Sequence, residues 1–345
     1  MGIKDLNSFL KENAPASINS TTLLDTFKRI KNNSDRTEIY VAVDTSIYFY
    51  KFLYKNDRFI EGFFQQIARL RRNNITPLYV FDGTPPPEKN DTIKNRLVKK
   101  QEYKDKIIEL QEKLNNSDDI ENEERQMLSI ELQKYKKKLI RVTKEHITKL
   151  KYFLDLMNIK YIHPNCEADN ICSKLCEKGI VDAVLSDDMD LLVSGTSVLL
   201  RDFYIGSQKI LEYNTNTILN ELNLSKAQWV DFCILCGCDY LKRINGLGPK
   251  NAFKFIKQYG SIEEILKNQC GDGKKYNIPD YYDYEKARNL FNNCDSYCEE
   301  YNNLDIKIDD LFVNQMSNIV GFIKENSMLS LKQINNRLKF VYKVN

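Results

Sequence analysis

Short apolar runs alternate with longer amphipathic stretches over the first two-thirds of the chain. Residues 38–43 (EIYVAV) are apolar almost throughout, the pattern of a buried strand, and TSIYFYKFL behind them has helical character. A helical stretch over 57–72 leads to a second strand at 75–81. Strand, helix, strand in that order predicts a parallel sheet. PPP at 85–87 ends regular structure, and from about 89 to 150 the chain is charged and helix-prone, with a break at NNSDD (115–119). HPNCEADN reads as a turn into a helix with Asn165 at its N-cap. VDAVL (181–185) makes a third strand. SVLLRDF and QKILEY, joined through IGS, read as a β-hairpin or as paired edge strands. Beyond about 215 the pattern is helical to the end, and no internal repeat is visible. The expected fold class is α/β, with a mostly parallel central sheet flanked by helices.

Acidic residues fall where this pattern changes. Asp44 closes IYVAVD and Asp82 closes ITPLYVFD; Glu167 and Asp169 form CEAD, Asp188 and Asp190 form SDDMD, and Asp239 ends CGCD. An open α/β sheet gathers the carboxyl ends of its strands at one crevice, where ligands bind. Carboxylates held together repel unless a cation neutralises them, and Mg²⁺ takes oxygen ligands. Taken singly, each acid also reads as a helix cap or a loop acid. Seven in one pattern point to a metal site, and ions about 3.5–4 Å apart across one phosphodiester need ligands from several strands.

Composition narrows the class. Of 345 residues, 42% are hydrophobic and 29% charged, the balance of a soluble globular protein large enough for a substantial core. The net charge of +3 conceals basic clusters such as KYKKKLIR (134–141) beside the acids, an arrangement suited to a phosphate polymer held near metal ions. No signal-like apolar region opens the chain and no apolar run reaches membrane-spanning length, so the nine cysteines read as reduced and intracellular. MGIKDL is a poor myristoylation signal because Leu6 stands where Ser or Thr is needed.

Four further segments carry two readings each. The 89–150 insertion is either an antiparallel coiled-coil hairpin with a solvated face or a basic arch over the acids, its bases Lys89, Lys94, Arg96, Lys99 and Lys100 following Asp82. INGLGPKNAF (244–253) places Gly246 and Gly248 in a turn before Pro249 and Lys250; it is either a structural turn or a helix-hairpin-helix whose backbone amides hold phosphate. CILCGC offers Cys233, Cys236 and Cys238, but a structural zinc site wants four ligands in two pairs; plain buried thiols fit better. Of Tyr48, Phe49 and Tyr50, most are core, and one can face the site and stack on a base.

MGIKDL, VAVDTSIYFY, PLYVFDG, LIRVTKEH, CEAD, SDDMD, CGCDY, GLGPKNA and SIEEIL occur in this order along essentially the whole chain. In that ordered set the chain resembles the flap endonucleases, XPG-like structure-specific 5′ nucleases with a PIN-like sheet. The resemblance implies two Mg²⁺ ions (with Mn²⁺ able to substitute) on Asp44, Asp82, Glu167, Asp169, Asp188, Asp190 and Asp239. It implies that Lys89 and Arg96, on the first arch helix, neutralise the scissile phosphate and that Tyr50 stacks on the terminal unpaired base. Gly2 matches a buried N-terminus near the site, implying removal of Met1. Gly246, Gly248 and Lys250 would hold the downstream duplex backbone with a K⁺ ion. The implied substrate is branched DNA with a 5′ flap, in replication and repair, with 5′→3′ exonuclease activity alongside.

The sequence departs from the family in three places. Its E-A-E is E-A-D here, so Asp169 is one methylene shorter. The insertion before Glu167 is longer and contains acidic SDDIENEE. The chain ends at RLKFVYKVN without the motif that binds a sliding clamp, which argues against clamp recruitment and weakens the case for nuclear import. Family resemblance places the protein in the nucleus; Asn, Lys, Ile and Tyr abundance fits an AT-rich viral or protist genome, and a viral protein would work at a cytoplasmic replication site. The expected organisation is a nuclease region at 1–88, an arch at 89–150, a second nuclease region at 151–235 and a helix-hairpin-helix and C-terminal helical region at 236–345. Rival functions are a sibling exonuclease or four-way-junction resolvase, a silent junction binder that would require lost metal ligands, and a PIN-type RNA nuclease that leaves the arch unexplained.

Overall fold

The computed structural model describes residues 2–32, 37–56, 58–116, 122–271, 273–292, 301, 304, 306–308 and 313–343. Seven strands form one sheet: β1 (Ile18–Thr22), β2 (Ile39–Asp44), β3 (Ile75–Val80), β4 (Tyr161–Ile162), β5 (Ala183–Leu185), β6 (Val198–Arg201) and β7 (Lys209–Asn214). Their order across the sheet is β1-β7-β6-β5-β2-β3-β4. Strands β6, β5, β2, β3 and β4 run parallel, so their carboxyl ends share one edge. The expected hairpin is the antiparallel β6–β7 pair, with Leu199 opposite Tyr213. Strand β1 pairs antiparallel with β7; its sequence, INSTT, lacks the apolar alternation that would announce a strand.

The helices are α1 (Leu6–Asn13), α2 (Leu23–Lys31), α3 (Thr45–Asn56), α4 (Phe59–Arg72), α5 (Asn90–Asn116), α6 (Asn122–Lys138), α7 (Lys144–Leu156), α8 (Ala168–Glu177), α9 (Thr215–Leu222), α10 (Lys226–Cys236), α11 (Pro249–Tyr259), α12 (Ile262–Gln269), α13 (Tyr284–Asn292), α14 (Val313–Glu325) and α15 (Leu331–Tyr342). They cover both faces of the sheet. Alternate strand residues explain this division, since side chains along a strand point to opposite faces. Ile39, Val41 and Val43 of β2 join one core with α3, α4, α7, α14 and α15. Ala42 of β2, Val184 of β5 and Leu199 of β6 join the other with α1, α8, α10 and α11. Among the described residues, no helix is long and apolar enough to cross a membrane.

The 89–150 segment is not one unit. Helices α5 and α6 form a hairpin with a small core of its own, Ile107, Leu110 and Leu132. Helix α7 belongs instead to the main core through Leu150, Phe153 and Leu154. Helix α5 runs through Asn116, and the remainder of the NNSDD break lies outside the described residues, as does part of SDDIENEE.

The N-cap of α8 corrects a sequence expectation: it is Glu167, not Asn165. The Asn165 and Cys166 carbonyls accept from the Thr84 and Gly83 amides at 3.3 and 2.9 Å, which holds this segment against the loop after β3. Gly83 permits that approach, because a Cβ there would collide with the backbone of Pro164 and Asn165. The first amide of α8, Ala168, donates to Asp82 Oδ1 at 2.9 Å, so an acid from the loop after β3 satisfies it.

Candidate active site

The seven acids reach the cleft from five places in the fold. Asp44 is the last residue of β2, Asp82 lies two residues past β3, and Asp188 and Asp190 follow β5. Glu167 and Asp169 open α8, and Asp239 lies in the loop after α10. Six of the seven line one cavity of about 280 Å³, together with Tyr50, Lys89 and Arg96. Asp190 sits behind them: its amide donates to Asp188 Oδ1 at 3.1 Å, and Gly2 lies against both carboxylates. A Cβ on Gly2 would collide with them, and its φ of +81° favours glycine.

Serines order this cluster. Ser186 Oγ donates to Asp44 Oδ2 at 2.9 Å and accepts from the Asp188 amide at 3.1 Å, tying the ends of β2 and β5 together. The Ser46 amide donates to Asp44 Oδ1 at 3.1 Å. Sequence reading passed over both serines, although Ser186 stands inside the SDDMD motif itself.

Two bases enter from the arch. Lys89 Nζ lies 2.7 Å from Glu167 Oε1 and 3.6 Å from Asp239 Oδ2, and Arg96 lies 2.7 Å from Asp239 Oδ2. Lys89 is not on the first arch helix but ends the short 3₁₀ turn Pro87–Lys89 that precedes α5. Tyr240, beside Asp239 in sequence, donates to Glu167 Oε2 at 3.3 Å and lies under the Lys89 ammonium. Burial and Glu167 raise its phenol, so it stays a donor.

Burial and mutual repulsion disfavour ionisation of these carboxyls. Burial, then the charges of Asp82 and Asp188, push the Asp44 carboxyl up to about 7, against the lowering hydrogen bond from Ser186. Burial together with Asp188, Asp44 and Asp82 raises Asp169; burial with Asp188 and Asp239 raises Asp190. At Lys89 burial alone would lower the ammonium, but Glu167, Asp169 and Asp239 outweigh it and the shift is upward.

The donor set fits hard cations. It is all oxygen, its buried carboxyls resist ionisation, and among the described residues Asp190 Oδ1 is buried with no hydrogen-bond partner. As the side chains stand, no three of His, Cys, Asp or Glu among the described residues are close enough to hold one ion. Lys89 and Arg96 instead occupy Glu167 and Asp239.

The other sequence candidates lie elsewhere. Gly246, Gly248 and Lys250 line a separate cleft with Asp5, Ser8 and Glu12, and Lys250 pairs with Glu12 at 3.2 Å. Gly248 caps α11 and Pro249 is its first residue, as the turn chemistry predicts. Cys233, Cys236 and Cys238 are buried free thiols. Burial raises all three, the opposite of what a thiolate ligand needs.

A mostly parallel sheet whose strand ends gather carboxylates at the foot of a basic helical hairpin suits phosphodiester chemistry, the class of a nuclease. Two family models match: the XPG N-terminal domain over residues 1–103 and the XPG I-region over 158–239. Flap endonuclease 1 of Xiphophorus maculatus is 35% identical over 308 residues, 84% of this chain and 74% of that protein. The Meyerozyma guilliermondii flap endonuclease 1 is 32% identical over 362 residues, 98% of this chain and 90% of that one. The chain belongs to the flap endonucleases, structure-specific 5′ nucleases of the XPG family. In fold it is similar to the catalytic core of Rad2 in complex with DNA substrate (TM-score 0.64, 20% identity, 99% of this chain and 100% of that one). It is also similar to flap endonuclease-1 from Methanococcus jannaschii (TM-score 0.62, 20% identity, 94% and 95%).

Proposed function

We propose that this nuclease cuts 5′ flaps in branched DNA near the junction of single strand and duplex, using divalent cations, Mg²⁺ foremost and Mn²⁺ as a substitute. The observation that carries this reading is the position of Lys89 and Arg96, two arch bases within ion-pair distance of cleft carboxylates. Asp44, Asp82, Glu167, Asp169, Asp188, Asp190 and Asp239 would hold two cations. The chemistry such ions supply is activation of water and neutralisation of charge on the leaving oxygen.

The chain's own residues do the rest. Lys89 and Arg96, which pair with Glu167 and Asp239, would grip the scissile phosphate if those carboxylates held the cations. Ser186 keeps Asp44 aligned, and Tyr240 keeps Glu167 aligned. Tyr50, exposed at the rim of the cavity, stacks on the terminal unpaired base. Gly246, Gly248 and Lys250 hold the downstream duplex backbone, with K⁺ at that turn. Catalysis is mainly positioning and electrostatic stabilisation.

The test compares end-labelled 5′-flap, nicked, blunt and four-way-junction DNAs with Mg²⁺ and with chelator. Metal-dependent cleavage concentrated at the flap junction is expected, with weaker 5′→3′ degradation from the nick. Preferential cutting of the four-way junction, or equal cleavage with chelator, overturns the reading.

A further inference from the structure

Helix α3 carries two aromatic rings that take no part in the core. Tyr48, Phe49, Phe52 and Leu53 are buried, whereas Tyr50 and Tyr54 are each 46% exposed. They stand four residues apart, so they share one face and are separated along the helix by about 6 Å. Tyr50 lines the carboxylate cavity and Tyr54 stands one turn farther along α3. Above Tyr54 lies the Lys137 ammonium, 5.1 Å from the ring centroid. Lys137 is exposed, and it belongs to the run Lys134, Lys136, Lys137 and Lys138 at the foot of α6.

This pairing puts an aromatic face and a cation together between α3 and the arch. A base offers a π-face for the ring, and its phosphate offers an anion for the ammonium. The spacing also suits a strand: about 6 Å is less than two stacked-base steps of about 3.4 Å, so nearby nucleotides can reach both rings. A core role does not account for Tyr54, whose ring is half exposed on a helix already anchored by four buried neighbours.

We propose that Tyr54 and Lys137 form a second nucleotide subsite for the unpaired 5′ strand, one helical turn beyond Tyr50. The subsite rests on the flap-cleavage reading above. It reads no sequence, because stacking accepts any base. It extends the grip on single strand from the scissile phosphate toward the arch.

The experiment places a single abasic residue at each of the first unpaired positions of a 5′-flap DNA. Binding and single-turnover cleavage are measured for the wild type, Tyr54→Ala, Tyr54→Trp and Lys137→Gln. Tyr54→Ala should weaken flap binding roughly tenfold while leaving flapless duplex binding unchanged, and Tyr54→Trp should restore it. In the wild type, one abasic position distinct from that sensed by Tyr50 should cause the same loss. Tyr54→Ala should not respond further to that position, the signature of two groups in one contact. Unchanged flap binding by Tyr54→Ala overturns the subsite, and so does a loss equal on flap and flapless duplex, which marks a packing role. Failure of the wild type to cut the intact flap with Mg²⁺ overturns the flap reading itself. Wild-type cleavage without any Tyr54 effect overturns the subsite alone.

Discussion

The Thr92 hydroxyl donates to the backbone carbonyl of Asp239 across 2.8 Å, fastening the foot of the arch to a residue of the carboxylate cleft. Lys89, Thr92 and Arg96 recur at helical spacing, and all three contact Asp239. The hydroxyl therefore sets where the two bases stand. Thr92→Val should slow single-turnover cleavage about fivefold, the worth of one ordinary hydrogen bond, with little change in KM. Thr92→Ser, which keeps the hydroxyl, should restore the rate.

Lys89 is buried among acids, so its removal acts twice. Lys89→Met keeps the apolar stem and deletes the charge. If Lys89 grips the scissile phosphate as proposed, its loss should lower kcat by about 10²–10³. The same change leaves Glu167 without its ammonium partner while Arg96 still holds Asp239, and Mg²⁺ should bind the DNA-free protein more tightly through Glu167. Titration calorimetry with Mg²⁺ checks the second effect, and single-turnover cleavage the first.

Asp44 links the site to stability. Its folded carboxyl holds a proton up to about 7, against an ordinary value of 3.8. Between those values the native state binds more protons than the unfolded chain, so raising pH through this window destabilises the metal-free protein. Asp44→Asn removes the ionisation. In chelator its Tm should exceed that of the wild type at pH 8, and the gap should close toward pH 4. Mg²⁺ should narrow the gap at pH 8 by stabilising the wild type. The variant should not cleave.

Gly2→Ala tests the N-terminal approach to the cleft. The added methyl meets Asp188 and Asp190 at a left-handed backbone position, so the segment must move. Cleavage should fall at least about tenfold, since a misplacement of about 1 Å can cost more than that. Thermal unfolding should show a small loss, because the rest of the core is untouched.

The apolar runs announced β2, β3 and β5, and the acids at their ends could be named at once. A strand buried on both faces leaves a short continuous apolar signature, and the acid that follows marks where the strand opens onto the cleft. The same reading found α3, α4 and the β6–β7 pair. It missed β1, whose polar residues form an edge strand through pairing with β7. It also misjudged the start of α8, whose first amide is satisfied by Asp82 from the loop after β3.

The sequence by itself determined the apolar runs of β2, β3 and β5 and the acids that close them, because those properties depend on period and neighbours. The tertiary structure decided which ends meet. The sheet order β6-β5-β2-β3-β4 is not the order of the chain. It sets Asp188 beside Asp44 through Ser186, brings Glu167 to Lys89, and draws Asp239 and Gly2 in from distant segments. Local pattern carries no record of these meetings, since they follow from how helices pack on the two faces of one twisted sheet.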